Sequence, residues 1–423
     1  MFDLIIKGAD IIDGDGGDRR RGDLAVRAGR IAAVERFIDG EAIRVIDGRG
    51  QALTPGFIDI HVHTDAYHLT NPDGAIRIRQ GVCLDVAGNC GESLAPASPA
   101  WSTSVASQFG IDSPAAFGDS FADYAAAVDR VRPAMRVMSH VGHTALRVRA
   151  MGYAAGPPSP EALQRMTYGL EAALEAGAAG MSTGLYYPPS GYARRPELIK
   201  AARILASRGR FHASHIRNEA EDLLPSISEI VDIGLSTGAA SHISHLKAAG
   251  RRNWSRAGEA IDLIESARAS GLDLTCDLYP YHHSSTTILA LIPPWAQEGG
   301  VPDLLARLER PEDRERIIGQ MRDGLPGWEN ILHNAGFDGI AVSFAAEPEN
   351  RSLQGRSLAA GAADAGLDPY RFVLDLIRSD RGATAIIAAS MSEEVVARFM
   401  ALPFAMIGSD GMPRGGMPHP RLY

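Results

Sequence analysis

The chain has 423 residues, 45% hydrophobic and 22% charged, which is the balance of an ordinary soluble globular protein. That length exceeds one small domain and suits a large α/β barrel with an appendage. Lys and Arg total 42 against 51 Asp and Glu, a net charge of −9, which excludes nucleic acid as the main partner because phosphate binding needs a basic surface.

The first residues lack the basic and apolar regions of a signal peptide, and no run approaches the ~20 apolar residues of a membrane span. The cysteines are Cys83, Cys90 and Cys276. A sparse, odd number is no disulfide framework, so a reducing, cytoplasmic setting is expected. Arg19, Arg20 and Arg21 sit between Asp18 and Asp23 and read as a solvated loop. Residues 4–6, 11–12, 24–26, 31–34 and 43–46 read as short strands separated by Gly and Asp turns. Residues 1–54 are therefore expected to form part of a small β domain.

From Pro55 the pattern changes to alternating strands and amphipathic helices. In the clearest unit, Ser159 caps a helix, Pro160 takes its first position, and Leu163, Met166, Leu170 and Leu174 recur at helical spacing before Gly177. Similar helices are expected at 196–208 and 255–268. Eight intervals read as parallel strands: 56–61, 81–88, 134–141, 178–183, 210–215, 239–245, 272–278 and 404–409. Eight such strands predict a (β/α)8 TIM barrel over 55–423. The stretch between the last two is far too long for one helix. An insertion is expected at about 286–350, and at the catalytic face of a barrel it reads as a lid.

Of the 13 histidines, five close pairs fall at or just past predicted strand ends: His61/His63, His140/His143, His212/His215, His242/His245 and His282/His283. That is the face on which barrel enzymes build their sites. His61 and His63, two apart on a strand, point the same way and suit a divalent metal. Residues three apart point opposite ways, so at most one of each later pair is expected to enter the barrel. His215 and His245 are favoured over His212 and His242 as nearer the catalytic face. Asp410, after the last strand, suits a metal and a proton-accepting role. Cys90, in a Gly-Asn-Cys-Gly loop, offers a thiolate, whereas Cys83 and Cys276 read as small buried hydrophobes. This mixture of N, S and O donors favours zinc, in one site or two neighbouring ones.

Thr54-Pro55-Gly56-Phe57-Ile58-Asp59-Ile60-His61-Val62-His63 resembles the first-strand signature of the amidohydrolase superfamily. Within it the chain resembles the D-aminoacylases, the N-acyl-D-amino-acid deacylases, over essentially its whole length. Gly88-Asn89-Cys90-Gly91, Tyr186-Tyr187-Pro188-Pro189, Ser214-His215-Ile216-Arg217-Asn218-Glu219, Asp277-Leu278-Tyr279-Pro280-Tyr281 and Gly408-Ser409-Asp410 carry that narrower likeness.

The resemblance implies that Cys90, His215 and His245 hold a tightly bound zinc. It implies a second, weaker metal position at His61, His63 and Asp410, with Asp410 as catalytic base. It makes Lys247, Tyr279 and Ser285 candidates for holding the carboxylate of a small N-acyl-D-amino acid. Lys247 is expected to share a strand face with His245. Related cyclic amidases use a carboxylated Lys on the fourth strand, which Gly180-Met181-Ser182-Thr183-Gly184 lacks. A cyclic amide or imide hydrolase and a catalytically silent barrel remain the alternatives. His419-Pro420-Arg421-Leu422-Tyr423 resembles a segment after which family members continue. A truncated chain is therefore expected, with the N-terminal half of a β-sandwich-like domain and a tendency to aggregate.

Overall fold

The computed structural model describes residues 1–98, 101, 118–413, 419 and 421. Its contacts divide the chain into two compact units, Met1–Phe57 and Ile58–Tyr423.

The first unit is a five-stranded sheet around Phe2–Ile11. That strand pairs antiparallel with Arg20–Arg27 and parallel with Ala42–Asp47 and Ala52–Leu53, and Arg30–Glu35 adds to the outer side of Arg20–Arg27. The expected pieces at 4–6 and 11–12 are one strand, whose register shifts between Ile6 and Ala9. Gly8 lies in that shift at φ 70°, a conformation natural to glycine. Buried Asp23 secures it, accepting the Gly8 N–H with one oxygen at 2.7 Å and the Ile38 N–H with the other at 2.9 Å. Arg20 and Arg21, expected in a loop, begin a strand and are exposed. Ile5, Ala25 and Ile38 form the small core, while Ile31, Phe37, Ile43 and Val45 are exposed.

In the second unit, each of the eight intervals holds a strand. Ala405–Ile407, Leu274–Leu278, Ser241–Ile243, Phe211–His215, Gly180–Gly184 and Val141–Gly142 form one parallel run, and Phe57–Asp59, Val82–Ala87 and Arg136–Ser139 another. Arg136–Ser139 and Val141–Gly142 are halves of one strand interrupted at His140. A parallel bridge between Val62 and Gly411 joins the first strand to the last. The architecture is a TIM barrel with an extra domain. Pro160–Glu175 starts as expected, with Ser159 Oγ accepting the Ala162 N–H and Pro160 at the first position. Arg195–Ser207, Leu223–Thr237 and Ala257–Ala269 follow around the barrel, and their apolar faces bury Leu198, Ile227, Ile230 and Ile264 in its main core.

Between the last two barrel strands stands a layer with its own core. Ser284–Thr287, Ala385–Ala388 and Ile340–Phe344 form an antiparallel sheet with Ala385–Ala388 in the middle. Val301–Leu308, Pro311–Asp323, Leu358–Ala365 and Pro369–Ser379 accompany it. Leu304, Ile317, Val373 and Ile386 fill the core between them. The interval expected for the insertion, about 286–350, takes in two of the three strands. The third lies beyond it, because a central strand can come from anywhere in the chain. Among the described residues no helix is long and apolar enough to cross a membrane.

Candidate metal centre

His61 and His63 follow the first barrel strand, Cys90 the second and His245 the sixth. His215 closes the fifth, and Asp410 lies three residues beyond Ala405–Ile407. All six therefore reach the carboxyl-end mouth of the barrel, and each is at least 95% buried. Cys90, His245 and Asp410 have φ of 53°, 36° and 51°. They are half of the six non-glycine residues with positive φ among those described. This strained conformation costs of order 1–3 kcal/mol per residue and persists only where surrounding contacts enforce it.

The contacts are specific. Cys90 Sγ lies 3.4 Å from His61 Nε2 and 3.3 Å from His245 Nε2. Asp410 Oδ1 is 3.6 Å from His61 Nε2 and 3.1 Å from His63 Nε2. The His215 and His245 rings meet edge to face at 4.3 Å. Three overlapping donor groups are close enough to share an ion: His61/Cys90/His245, His61/His63/Asp410 and His215/Glu219/His245. A buried thiol ringed by imidazoles with a carboxylate alongside is the soft, mixed donor set that zinc takes.

Carboxylates behind the imidazoles fix their orientation, as metal ligands require. Asp277 Oδ2 contacts His61 Nδ1 at 3.0 Å and His242 Nε2 at 2.7 Å, while its Oδ1 accepts the His245 N–H at 2.8 Å. Glu219 Oε1 lies 2.9 Å from His245 Nδ1 and 2.5 Å from Lys247 Nζ. Asp410 is held from its backbone, donating its N–H to His61 O at 2.8 Å. Its neighbour Ser409 donates an N–H to Asp59, which pairs with buried Arg77.

Charge follows this geometry. Burial opposes a thiolate at Cys90, yet adjacent His245 and His61 hold its pKa well below the usual thiol range. Burial opposes a charged His63, but Asp410 and Cys90 raise it to about 9. Burial would raise Asp410, but Arg421, His63 and His61 bring it down to about 2. His61 lies well above its ordinary value, where Asp277 and Cys90 outweigh burial.

His63, Cys90, His215, His245 and Asp410 line a cavity of about 710 Å³ that also takes in Lys247, Tyr279 and Ser285, and fully buried His61 sits behind them. The fold brings these expected residues together. At three positions the chain departs from the local geometry expected of it. His242 and His245 both turn inward, because the strand stops at Ile243 and His245 adopts a left-handed conformation that breaks the strand alternation. Lys247 reaches His245 Nδ1, at 2.8 Å, from an irregular segment rather than along a strand face. Cys83 is exposed, since it lies at the solvent-facing start of Val82–Ala87.

Other cavity residues escaped assignment. Arg421, 8% exposed, pairs with Asp410 Oδ2 at 2.9 Å and donates to Ser285 O. Its companions Pro420, Leu422 and Tyr423 lie outside the described residues. Glu219, four residues after His215, was visible only as part of a motif. Glu329 comes from the insertion and accepts the Glu219 N–H at 2.6 Å, and nothing in its local sequence marks it.

A model of the amidohydrolase family matches residues 44–209. The chain is 36% identical over 423 residues to an N-acyl-D-glutamate deacylase of Alcaligenes xylosoxydans xylosoxydans, covering 100% of this chain and 76% of the relative. It is 34% identical over 422 residues to a D-aminoacylase of the same organism, covering 100% and 77%. A crystal structure of the N-acyl-D-glutamate deacylase from Bordetella bronchiseptica, complexed with zinc and a phosphonate mimic of the tetrahedral intermediate, superposes with a TM-score of 0.81 at 34% identity. That match covers 100% of this chain and 78% of the other.

Proposed function

The chain belongs to the D-aminoacylase family of amidohydrolases, and on that premise we propose that it hydrolyses the linear amide of N-acyl-D-amino acids at a zinc centre. The observation that carries this reading is the convergence of Cys90, His215, His245, His63 and Asp410 on one cavity, with His61 buried between Cys90 and Asp410. Cys90, His215 and His245 are our choice for the tightly held zinc, because the buried, acidified thiol is the softest donor present. His61, His63 and Asp410 would form the second, weaker position. Zinc, when bound, supplies Lewis acidity that lowers the pKa of water to about 7 and polarises a carbonyl.

The chain's own groups do the rest. Asp410, ionised throughout the neutral range, accepts a proton from the attacking water and delivers it to the departing amine nitrogen. The products are a carboxylate and a D-amino acid. Arg421 and Lys247, with the hydroxyls of Tyr279 and Ser285, are the groups suited to hold the substrate carboxylate. The insertion, which contributes Ser285 and Glu329 to the cavity wall, would serve as its lid. Three free cysteines fit a reducing compartment.

The test is amine release from matched N-acetyl-D- and N-acetyl-L-amino acids with zinc supplied, run on the native chain and on Asp410→Asn. We expect turnover confined to the D series and a loss of at least about a hundredfold in kcat for the variant with zinc retained. Equal rates on both enantiomers, or an Asp410→Asn enzyme within tenfold of the native one, would refute the assignment.

A further inference from the structure

Asp410, the base of the proposed reaction, stands on a turn whose supports lie outside the cavity. Its φ of 51° is a conformation that a non-glycine residue keeps only where its surroundings enforce it. The turn lies at the seam between the first barrel strand and the last. Among the described residues these two share the Val62–Gly411 bridge rather than a ladder. Beside that bridge the Asp410 N–H bonds to His61 O at 2.8 Å and the His63 N–H to Gly411 O at 2.7 Å.

Ser409, directly before Asp410, is tied through its N–H, its carbonyl and its hydroxyl. The N–H donates to Asp59 Oδ1 at 2.8 Å, and the carbonyl accepts the Tyr281 hydroxyl. The Oγ accepts the Gly411 N–H at 3.0 Å and an Arg77 Nη1 hydrogen at 3.3 Å. Asp59 Oδ2 is taken by Arg77 Nη2. Arg77 therefore reaches the turn twice, once at Ser409 and once through Asp59. It is 2% exposed and comes from the short helix Ala75–Ile78. The second strand holds it in turn: Asp85 Oδ1 accepts Nη2 at 2.9 Å and Nε at 3.3 Å, while Asp85 Oδ2 accepts the Thr64 hydroxyl at 3.0 Å. A planar fork of donors is the side chain suited to join three such acceptors at once. Asp59, Arg77, Asp85 and Ser409 do not line the cavity.

We propose that Arg77 is a positioning residue for the hydrolysis: it fixes the Ser409 backbone and thereby the direction in which the Asp410 carboxylate faces the donors. The proposal rests on the deacylase reading and assigns it a residue outside the cavity. Without the guanidinium, Asp59 and Asp85 are buried acids with no cation between them, a costly arrangement. Asp59 must then turn toward another donor or take up a proton, and either change alters the acceptor that the Ser409 N–H meets. A misplacement of about 1 Å at a reacting group costs about a hundredfold in rate. His215 and His245 close strands that Arg77 does not touch. The Cys90 loop is pinned by Ser182, whose Oγ accepts the Gly91 N–H at 2.9 Å. The signature of losing Arg77 is therefore a fall in kcat with KM and the tightly held zinc preserved.

The experiment compares the full native chain with Arg77→Met and Arg77→Lys. It reads kcat and KM on an N-acetyl-D-amino acid, zinc retained after dialysis, and the affinity for a second zinc by calorimetric titration. Partners behind a site's working groups are worth about 10–100-fold. The methionine variant should therefore lose at least about tenfold in kcat and about tenfold in second-zinc affinity, with KM within about threefold and one zinc retained. Lysine keeps the charge without the fork and should recover part of both losses. Arg147→Met, which breaks a buried pair between His143–Met151 and Arg195–Ser207, is the control for general destabilisation and should keep its kcat. Should Arg77→Met fail to fold, Ser409→Ala cuts the direct link, leaves the pairs of Arg77 with Asp59 and Asp85 whole, and should lower kcat at constant KM. An Arg77→Met or, in its place, Ser409→Ala enzyme with native kcat overturns the proposal. So does a loss that Arg147→Met reproduces at an equal fall in Tm, or one accompanied by loss of the tightly held zinc, because Arg77 would then support the fold as a whole. Silence of the native chain on every substrate removes the deacylase reading instead, and the second-zinc titration then decides alone whether Arg77 sets Asp410.

Discussion

Glu329→Gln isolates one electrostatic strain in the cavity wall. Glu329 is 4% exposed and faces Glu219, whose N–H it accepts. Burial first, and the Glu219 carboxylate second, raise its pKa from an ordinary 4.5 to about 7. An acid raised on folding binds more protons in the folded state between those two values. Stability therefore falls as pH rises from about 4.5 to 7, and the whole penalty is present above 7. At 1.36 kcal/mol per unit, the penalty is about 3 kcal/mol. Glutamine keeps the acceptor oxygen and carries no charge, so the variant should match the native chain at pH 4.5 and exceed it by about 3 kcal/mol at pH 8. With an unfolding entropy of ~2.1 cal/mol/K per residue, that is a rise of about 3 °C in Tm. Thermal melts of both chains across pH 4.5–8, at one fixed zinc concentration, provide the test. Parallel curves over the whole range would show that Glu329 ionises at no cost and would refute the reasoning.

Two further substitutions probe other parts of the structure. Cys90→Ser replaces the soft buried donor with a poor one, so zinc content after dialysis should fall at least tenfold while the far-UV spectrum is unchanged; full zinc retention would remove Cys90 from the ligand set. Among the described residues, Arg147→Met leaves Glu197, 5% exposed, with His143 as its remaining ion-pair partner. Breaking a buried pair costs about 3–5 kcal/mol, so Tm should fall by several degrees, and a change under one degree would contradict it.

The barrel was legible because its signals are local and repeated. Ser159, Pro160 and Gly177 punctuate one βα unit, and the same grammar recurs around the ring. The candidate ligands were legible for a related reason: strand ends in a barrel all point to one mouth, so a His or Cys just past a strand has its destination set by topology. What failed were arguments that assumed ideal strands. His245 and Lys247 lie beyond a strand only three residues long, where a left-handed residue cancels the two-residue alternation. Glu329 and Arg421 could not be placed because their positions depend on long-range packing. Asp277 is the intermediate case. It sits on a predicted strand, yet its role in orienting His61 and His242 appears only when three strands are brought side by side.

Charge balance in the cavity bears on where substrate affinity arises. Lys247 and Arg421 are buried, and each already has an acidic partner: Glu219 at 2.5 Å and Asp410 at 2.9 Å. A substrate carboxylate that takes either cation exchanges one ion pair for another. It also leaves a buried acid to find new partners, and uncompensated buried charge is costly. Glu219 retains His245 Nδ1 at 2.9 Å, and Asp410 retains His63 at 3.1 Å, so the exchange is tolerable but its net gain is small. The carboxylate then acts chiefly as an orienting group that sets which face of the amide meets the donors. Affinity must come from contacts that displace no existing partner. The apolar side chains of Tyr153, Leu289 and Leu305, which also line the cavity, offer contacts of that kind, because burying an apolar group against them requires no ion pair to break.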